Sequence, residues 1–215
     1  MIKKLRIPFL ILGLLMLIIF VVPYLIPVPS LDGLAEPESF ADIDSQFVDV
    51  KGLKVHIKQY GTTGADVILL HGFGASIYSW REVVYPLGEN YQVLAYDRPG
   101  FGLTERPLRS DWEAEGKPSP YSTDEQIHLL IAIMDQFGIK EAVLIGNSAG
   151  GTIAVGTALK YPERVKALVL VDAAIYTGGG TPWLLRPLFQ MRQWDQLGLL
   201  LARQIQLRGE DFLRS

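Results

Sequence analysis

The chain has 215 residues, 49% of them hydrophobic and 20% charged, so we expect one domain with a small extra segment rather than disorder. Its net charge of −3 shows no basic excess, and composition therefore gives no reason to expect a nucleic-acid partner. The absence of cysteine excludes disulfides, thiol catalysis and thiolate metal sites.

The chain begins with an apolar segment. Residues 7–28 carry no charge and follow the basic residues Lys3, Lys4 and Arg6. As a helix they would span roughly 33 Å at about 1.5 Å per residue, enough to cross the hydrocarbon core of a membrane. Because the basic flank is expected to stay in the cytoplasm, the rest of the chain should lie on the extracytoplasmic side. We therefore predict a membrane anchor over residues 1–28.

Two other interpretations of this segment stay open. A cleaved signal peptide would make the protein secreted, and Gly33-Leu34-Ala35 is a possible but distant cleavage site. A buried helix of a soluble protein is disfavoured, because the segment has no polar face at helical spacing. Residues 29–45 are rich in Pro, Ser, Asp and Glu and are predicted to be a linker.

From residue 46 onward, short apolar segments typical of strands alternate with helical segments. The predicted strands are 47–50, 53–59, 67–70, 91–96, 142–145 and 167–171, and the predicted helices are 77–87, 123–137 and 149–160. The first two strands should form a hairpin that turns at Lys51-Gly52. Helix 123–137 begins with a capping-box pattern at Ser122 or Thr123 and should end at Gly138. Apolar strands between helices predict an α/β fold with a mostly parallel, doubly wound sheet.

The segment Gly146-Asn147-Ser148-Ala149-Gly150 lies directly between a predicted strand and a predicted helix. A nucleophile elbow needs small residues two before and two after the nucleophile, because the strand-to-helix turn leaves no room for side chains. The N–H of Ala149 and the helix N-terminus could then stabilise a negative charge beside Ser148. The alternative is a small-residue turn that only packs the helix against the strand. The strand–turn–helix setting favours Ser148 as a catalytic nucleophile.

His71-Gly72-Phe73-Gly74 follows the strand at 67–70. A loop at this place can offer the N–H of Phe73 as a second oxyanion donor opposite Ala149. His71 is expected to hold the turn; a catalytic base would have to lie within hydrogen-bond reach of Ser148.

These motifs resemble the α/β-hydrolase family in their order and spacing. The segments that carry the resemblance are His71-Gly72-Phe73-Gly74, Asp97-Arg98-Pro99-Gly100-Phe101-Gly102-Leu103-Thr104, Gly146-Asn147-Ser148-Ala149-Gly150-Gly151 and Val171-Asp172-Ala173-Ala174. The likeness is greatest to members with a helical lid, which include esterases, lactonases, C–C bond hydrolases and haloperoxidase-like enzymes. Members with aspartate at the elbow are epoxide hydrolases and dehalogenases, and serine argues against those activities. The resemblance implies no metal and no organic cofactor.

The resemblance also implies a catalytic acid after a seventh strand and a histidine after an eighth. All three histidines, His56, His71 and His128, precede Ser148, and the first and last are expected to be surface or packing residues. Asp172 is more expected to cap the next segment than to serve as the acid. The triad is therefore incomplete, and we expect a fragment: a partial hydrolase core at 46–176, lacking its last strands, followed by the start of a helical lid at 177–215.

The leading hypothesis is a serine hydrolase of carboxylic esters or related small acyl substrates, with this chain inactive as given. C–C bond hydrolysis or perhydrolysis would use much the same residues. A non-catalytic, hydrolase-like binding protein at the membrane is the alternative from another class.

Overall fold

The computed structural model describes residues 10–11, 13–18, 21–25, 36–107 and 109–175. Residues Ala35–Thr177 form one compact unit. The predicted lid at 177–215 lies outside the described residues.

Near the N-terminus, residues 10–11, 13–18 and Val22–Leu25 are helical. None of the helices formed by the described residues is long and apolar enough to cross a membrane. The structure therefore does not support the predicted transmembrane helix, much of which lies outside the described residues. The membrane anchor and the extracytoplasmic location stay predictions.

The compact unit is built on a sheet of six strands. They are β1 (Gln46–Val50), β2 (Leu53–Tyr60), β3 (Asp66–Leu70), β4 (Gln92–Tyr96), β5 (Ala142–Asn147) and β6 (Val165–Val171). Their spatial order is β1-β2-β4-β3-β5-β6. β1 pairs with β2 and β2 with β4 in antiparallel fashion, whereas β4, β3, β5 and β6 run parallel to one another. The mostly parallel sheet predicted from the sequence is confirmed.

The hairpin between β1 and β2 turns at Lys51-Gly52, as predicted. Both residues have positive φ, 57° for Lys51 and 79° for Gly52. Such a two-residue turn matches the twist of the flanking strands, and glycine adopts positive φ without steric cost.

Within the described residues 36–107 and 109–175, four α-helices accompany the sheet: α1 (Val84–Gly88), α2 (Arg109–Ala114), α3 (Thr123–Gln136) and α4 (Ala149–Lys160). The predicted continuous helix at 77–87 is wrong: a 3-10 turn over Ile77–Trp80 is followed by the separate helix α1. Pro86 explains the break, because in a continuous helix it could not donate a hydrogen bond to the carbonyl of residue 82 and its ring would clash with that carbonyl. α2 is an additional helix that the sequence pattern does not predict.

Helix α3 begins as its sequence predicts. The hydroxyl of Ser122 accepts a hydrogen bond from the N–H of Glu125 at 3.2 Å, which satisfies one free donor of the first turn. Gly138, at φ 69°, follows the helix end.

The sheet is covered on both faces, because alternate strand residues enter two separate cores. Ile68, Leu70, Leu94 and Tyr96 pack in one core with residues of α3 and α4. Val67, Leu69, Val93 and Ala95 pack in the other with Ile77, Trp80 and Val84. This alternation is the two-residue period of a strand buried on both sides.

Strand β6 lies at the end of the sheet and pairs only with β5 among the described strands. Its apolar residues Leu168, Val169, Leu170 and Val171 are exposed in the structure. In the described part of the chain β6 is therefore an apolar edge strand.

Part of the predicted linker is attached to the sheet by a row of polar contacts. Lys54, His56 and Lys58 lie two residues apart on β2 and so point to the same face. Lys54 pairs with Glu38, and the Nε2 atom of His56 lies 2.8 Å from the hydroxyl of Ser45. Lys58 pairs with both Asp42 and Asp44. These pairs hold residues 38–45 against β2.

Replacing Lys58 by methionine is expected to lower the free energy of unfolding by about 1 kcal/mol near pH 7, because two carboxylates lose a largely buried cation. Burial lowers the pKa of Lys58, but hydrogen bonds to Asp42 and Asp44 outweigh it and raise the pKa to about 12. The hydrogen bond from Lys58 lowers the pKa of Asp42. The stability difference between the unchanged chain and Lys58→Met should thus be greatest between pH 3.8 and pH 10.5, the ordinary pKa values of aspartate and lysine.

Below that window the Lys58 effect should shrink as Asp42 takes up a proton through its lowered pKa, and above it as Lys58 loses its proton near pH 12. Urea unfolding at pH 7 and at about pH 2.5 measures the difference. Lys166→Met is the matched control, since Lys166 and Glu141 form a half-exposed pair at 3.4 Å. An equal loss in both variants at pH 7 would argue against the attachment.

Candidate active site

Ser148 lies at the sharp turn between β5 and α4. Its backbone has φ 47° and ψ −116°, a combination that residues other than glycine rarely adopt. The turn is held on both sides: the N–H of Ser148 donates to the carbonyl of Val171, and its own carbonyl accepts from the N–H groups of Gly151 and Ala174, each at 3.0 Å. The strained geometry is thus fixed by neighbouring backbone.

Glycine is required on both sides of Ser148 because a side chain would have no space there. A Cβ atom on Gly146 would lie 2.6 Å from the Cα of Gly151, and one on Gly150 would lie 2.1 Å from the carbonyl oxygen of Leu70. Both contacts are with backbone, which cannot move aside cheaply. The close packing predicted for a nucleophile elbow is therefore present.

The loop that carries Phe73 packs directly against the elbow. A Cβ atom on Gly72 would lie 3.4 Å from the Cβ of Ser148 and 2.8 Å from Oδ1 of Asn147. Phe73 and Ala149, the two predicted oxyanion donors, both line the same cavity. The structure thus brings the three predicted site residues into one region.

His71 holds this loop with both ring nitrogens. Its Nδ1 atom lies 2.8 Å from the carbonyl oxygen of Gly72, and its Nε2 atom accepts a hydrogen bond from the N–H of Arg98 at 2.9 Å. The imidazole is fully buried, and burial lowers its pKa. His71 is therefore neutral, donates from Nδ1 and has no free nitrogen to act as a base.

The hydrogen bond from His71 also orients the next peptide group. In a trans peptide the C=O and N–H point in opposite directions, so fixing the carbonyl of Gly72 fixes the direction of the N–H of Phe73. A second donor, Nη2 of Arg98, lies 3.4 Å from the same carbonyl. His71 and Arg98 thus set the direction of the Phe73 N–H.

A cavity of about 560 Å³ opens beside the elbow. Its walls combine aromatic, apolar and polar residues; they are formed by Phe73, Arg98, Pro99, Gly100, Phe101, Arg106, Tyr121, Thr123, Gln126, Ala149, Thr152 and Ile153. The ring of Phe73 is 82% exposed and contacts the ring of Phe101 edge-on. A small organic substrate fits a cavity of this size and character.

The other two histidines do not reach the elbow through any hydrogen bond. His56, expected to be a surface or packing residue, is buried, with Nδ1 2.7 Å from the carboxylate of Asp97. His128 is half-buried on α3 and lies 3.0 Å from Glu125. Asp172 makes no hydrogen bond through its carboxylate to a described residue. No described side chain hydrogen-bonds to the hydroxyl of Ser148.

Asp97 connects three segments of the chain through hydrogen bonds, although the sequence identifies it only as part of a motif. Besides His56, its carboxylate accepts hydrogen bonds from the N–H groups of Ile77 at 2.7 Å and Leu103 at 2.8 Å. Gly102 lies so close to this carboxylate that it has no room for a side chain. In the sequence, the feature that could have identified Asp97 is a polar residue at the end of an apolar strand, followed by Arg98 and two glycines. Asp97 joins β2, the segment after the Phe73 loop and the loop at 98–104.

The sequence matches the alpha/beta hydrolase fold family over residues 67–202. It is 30% identical over 141 residues to 2-hydroxymuconate semialdehyde hydrolase of Pseudomonas sp. (strain CF600), covering 64% of this chain and 46% of the relative. It is 35% identical over 123 residues to epoxide hydrolase 3 of Siraitia grosvenorii, covering 57% of this chain and 36% of the relative.

Among solved structures, a mutant of meta-cleavage product hydrolase from Pseudomonas fluorescens, complexed with acetates, superimposes with a TM-score of 0.54 at 34% identity, covering 62% of this chain and 47% of that one. The chain thus spans about half or less of the length of these relatives. The strained serine turn, the packed glycines and the sheet order agree with the sequence match. The chain belongs to the alpha/beta hydrolase fold family.

Proposed function

We propose that this chain carries the nucleophile and oxyanion site of a serine hydrolase acting on a carboxylic ester or a related small acyl substrate. The observation that supports this best is the turn at Ser148, where a non-glycine residue has φ 47° and ψ −116° beside a cavity that can hold a substrate. Backbone strain of this kind persists only when the surrounding structure enforces it, and it is concentrated at functional sites.

In the proposed reaction the Oγ atom of Ser148 attacks the acyl carbonyl as its proton passes to a base. The negative charge on the tetrahedral intermediate is held by the N–H groups of Phe73 and Ala149 and by the N-terminus of α4. The intermediate collapses to an acyl-enzyme as the protonated leaving group departs. Water then attacks the acyl-enzyme and releases the acid.

The base is not one of the histidines in this chain. His71 uses both ring nitrogens in the loop, and His56 and His128 bind Asp97 and Glu125. We therefore propose that the base and the catalytic acid come from residues other than those described, and that this chain alone does not turn over. Oxyanion donors can still give a low residual reactivity without a triad base.

Serine at the elbow argues against epoxide hydrolysis despite the similarity to epoxide hydrolase 3. In family members of that activity an aspartate attacks carbon to form an alkyl ester, and a serine would form an ether that water does not readily cleave. C–C bond hydrolysis is the second candidate, since this chain is similar to 2-hydroxymuconate semialdehyde hydrolase and to a meta-cleavage product hydrolase.

A fluorophosphonate probe tests the proposed nucleophile. We expect slow addition of a single phosphonyl group to the chain, and none to Ser148→Ala, because Ser148 lies beside the proposed oxyanion donors. Intact-mass spectrometry measures the labelled fraction over time. Ser39→Ala, at an exposed serine, is the matched control and should label like the unchanged chain. Equal labelling of Ser148→Ala would contradict the proposal.

Hydrolysis of a short-chain p-nitrophenyl ester tests the missing base separately. We expect no turnover above background. Turnover that disappears in Ser148→Ala would support the nucleophile and overturn the statement that this chain lacks a working base.

A further inference from the structure

Arg98 is a buried cation without an anionic partner in the described structure. Only 3% of the residue is exposed, and no described carboxylate lies within hydrogen-bond reach of its guanidinium. Its Nε atom is buried without a hydrogen-bond partner, and Nη2 makes a single long hydrogen bond of 3.4 Å to the carbonyl of Gly72. The ring of Phe101, 5.2 Å from Cζ, covers one face of the group.

Such an environment leaves most of the binding capacity of the guanidinium unused. An arginine has five N–H donors in a planar fork that matches a carboxylate. Removal of a cation from water is costly unless an anion or several acceptors replace the water, and one carbonyl and one aromatic ring replace only part of it. Burial lowers the pKa of Arg98, as expected for a cation that lacks a counter-charge.

The cavity beside Ser148 is where an anion could reach this group. Arg98 and Arg106 both line it, and no described lining residue is an aspartate or a glutamate. The remaining wall contains Phe73, Phe101 and Ile153. The cavity is therefore positive at one place and apolar over much of its surface, which suits an apolar molecule with a single negative charge.

We propose that the cavity binds an acyl substrate that carries a carboxylate, and that Arg98 is the residue that recognises this carboxylate. This rests on the proposed function, because it assigns a substrate class to the same site. Arg98 donates to the carbonyl of Gly72, and Gly72 packs on Ser148. The recognised carboxylate therefore lies near the reacting carbonyl, and the substrate is a short acid with a second acyl group.

Gln126 adds a second recognition element to the cavity wall. Its Nε2 atom donates to the carbonyl of Tyr121 at 3.0 Å, whereas its Oε1 atom is buried without a partner. An unpaired buried acceptor gains a hydrogen bond from a ligand donor.

Equilibrium binding tests the carboxylate without requiring turnover. The probes are 4-(4-fluorophenyl)butanoate and its uncharged primary amide, and the dissociation constants are measured by fluorine NMR titration of the chain. We expect the carboxylate to bind at least about tenfold more tightly than the amide, the ratio typical of one charge-assisted contact. Arg98→Gln should remove this preference. Arg81→Gln, at an exposed arginine outside the cavity, should retain it.

Because Arg98→Gln could fail to fold, the proposal is also tested on the unchanged chain and on Arg106→Gln. Raising the salt concentration from about 20 to about 500 mM should leave most of the carboxylate preference of the unchanged chain in place, because salt screens a buried charge contact much less than an exposed one. Arg106→Gln should lower the carboxylate preference partially. Equal affinities of the two probes, or a preference that survives in a folded Arg98→Gln variant, would overturn the proposal.

Failure of the proposed function would look different. Ser148→Ala should bind the carboxylate as the unchanged chain does, because Arg98 is intact. If Ser148 is not labelled by the fluorophosphonate but the carboxylate preference is present, the hydrolase assignment fails and the anion site stands. If Ser148 is labelled and the two probes bind equally, only the substrate class fails.

Discussion

Replacing Asp97 by alanine is expected to lower the free energy of unfolding by about 4 kcal/mol. The change removes a buried carboxylate that binds the imidazole of His56 and the backbone N–H groups of Ile77 and Leu103. Each buried donor left without a partner costs about 1–3 kcal/mol, and neither N–H can turn towards water without moving its loop. Urea unfolding followed by circular dichroism measures the loss.

Asp135→Ala is the matched control for this prediction. Asp135 pairs with Arg164 at 2.7 Å, but it is mostly exposed, so its removal should cost no more than about 1 kcal/mol. If the two alanine variants lose similar stability, Asp97 does not join the three segments as described. A consequence for the site is also expected, because residues of the loop at 98–104 line the cavity. Asp97→Ala should weaken binding of the carboxylate probe even at low temperature, where the variant is folded.

Gly150→Ala is expected to lower the free energy of unfolding by about 3 kcal/mol or more, although alanine is the better helix former. In an exposed helix this change would stabilise the helix by roughly 1 kcal/mol. Here the added Cβ would lie 2.1 Å from the carbonyl oxygen of Leu70 and 2.7 Å from that of His71. Steric overlap with the backbone of β3 and of the Phe73 loop therefore outweighs the helix preference. Thermal unfolding and the rate of fluorophosphonate labelling measure the two consequences.

Gly156→Ala in the same helix separates steric overlap from helix preference. A Cβ atom on Gly156 would lie 2.6 Å from Cδ1 of Ile127, the end of a flexible side chain that can move. We expect this variant to remain within about 1 kcal/mol of the unchanged chain. A loss as large as that of Gly150→Ala would show that any added methyl group in α4 is harmful, and that the elbow has no special requirement.

Both predictions concern the same structural arrangement. The turn at Ser148, the Phe73 loop and the loop at 98–104 are held against one another by short backbone contacts and by His71, Asp97 and Arg98. Oxyanion donors are effective when their directions are set before the substrate binds, because no reorganisation is then needed during the reaction. The arrangement around Ser148 would meet this condition for the N–H of Phe73, the proposed donor.

The strands and the two long helices were predictable from the sequence because their signals are local. The apolar segments before His71 and Ser148 have the residue pattern of strands without reference to the rest of the chain. The capping residue Ser122 lies only three residues from Glu125, whose N–H it binds. The error at 77–87 has the same origin. Apolar spacing suggests one helix, whereas Pro86 divides the segment into a 3-10 turn and the separate helix α1.

The partners of the histidines could not be predicted, because they are far apart in the sequence. His56 and Asp97 are separated by 41 positions, and His71 and Arg98 by 27. Both pairs form only because β2, β3 and β4 are neighbours in the sheet. A lone histidine in a strand therefore does not indicate whether its ring is free, packed or hydrogen-bonded.

The sequence by itself determined the strand–turn–helix at Ser148 and the loop at His71-Gly72-Phe73-Gly74, because each depends on neighbouring residues. It also indicated a parallel sheet, because apolar strands alternate with helices along the chain. Only the tertiary structure decided that His71 is neutral and fully engaged, that Asp97 joins three segments, and that Arg98 is buried beside the cavity without an anion among the described residues. Burial and long-range hydrogen bonds govern these properties, since they set the local dielectric and the number of partners of each group. Neither quantity can be read from the order of residues along the chain.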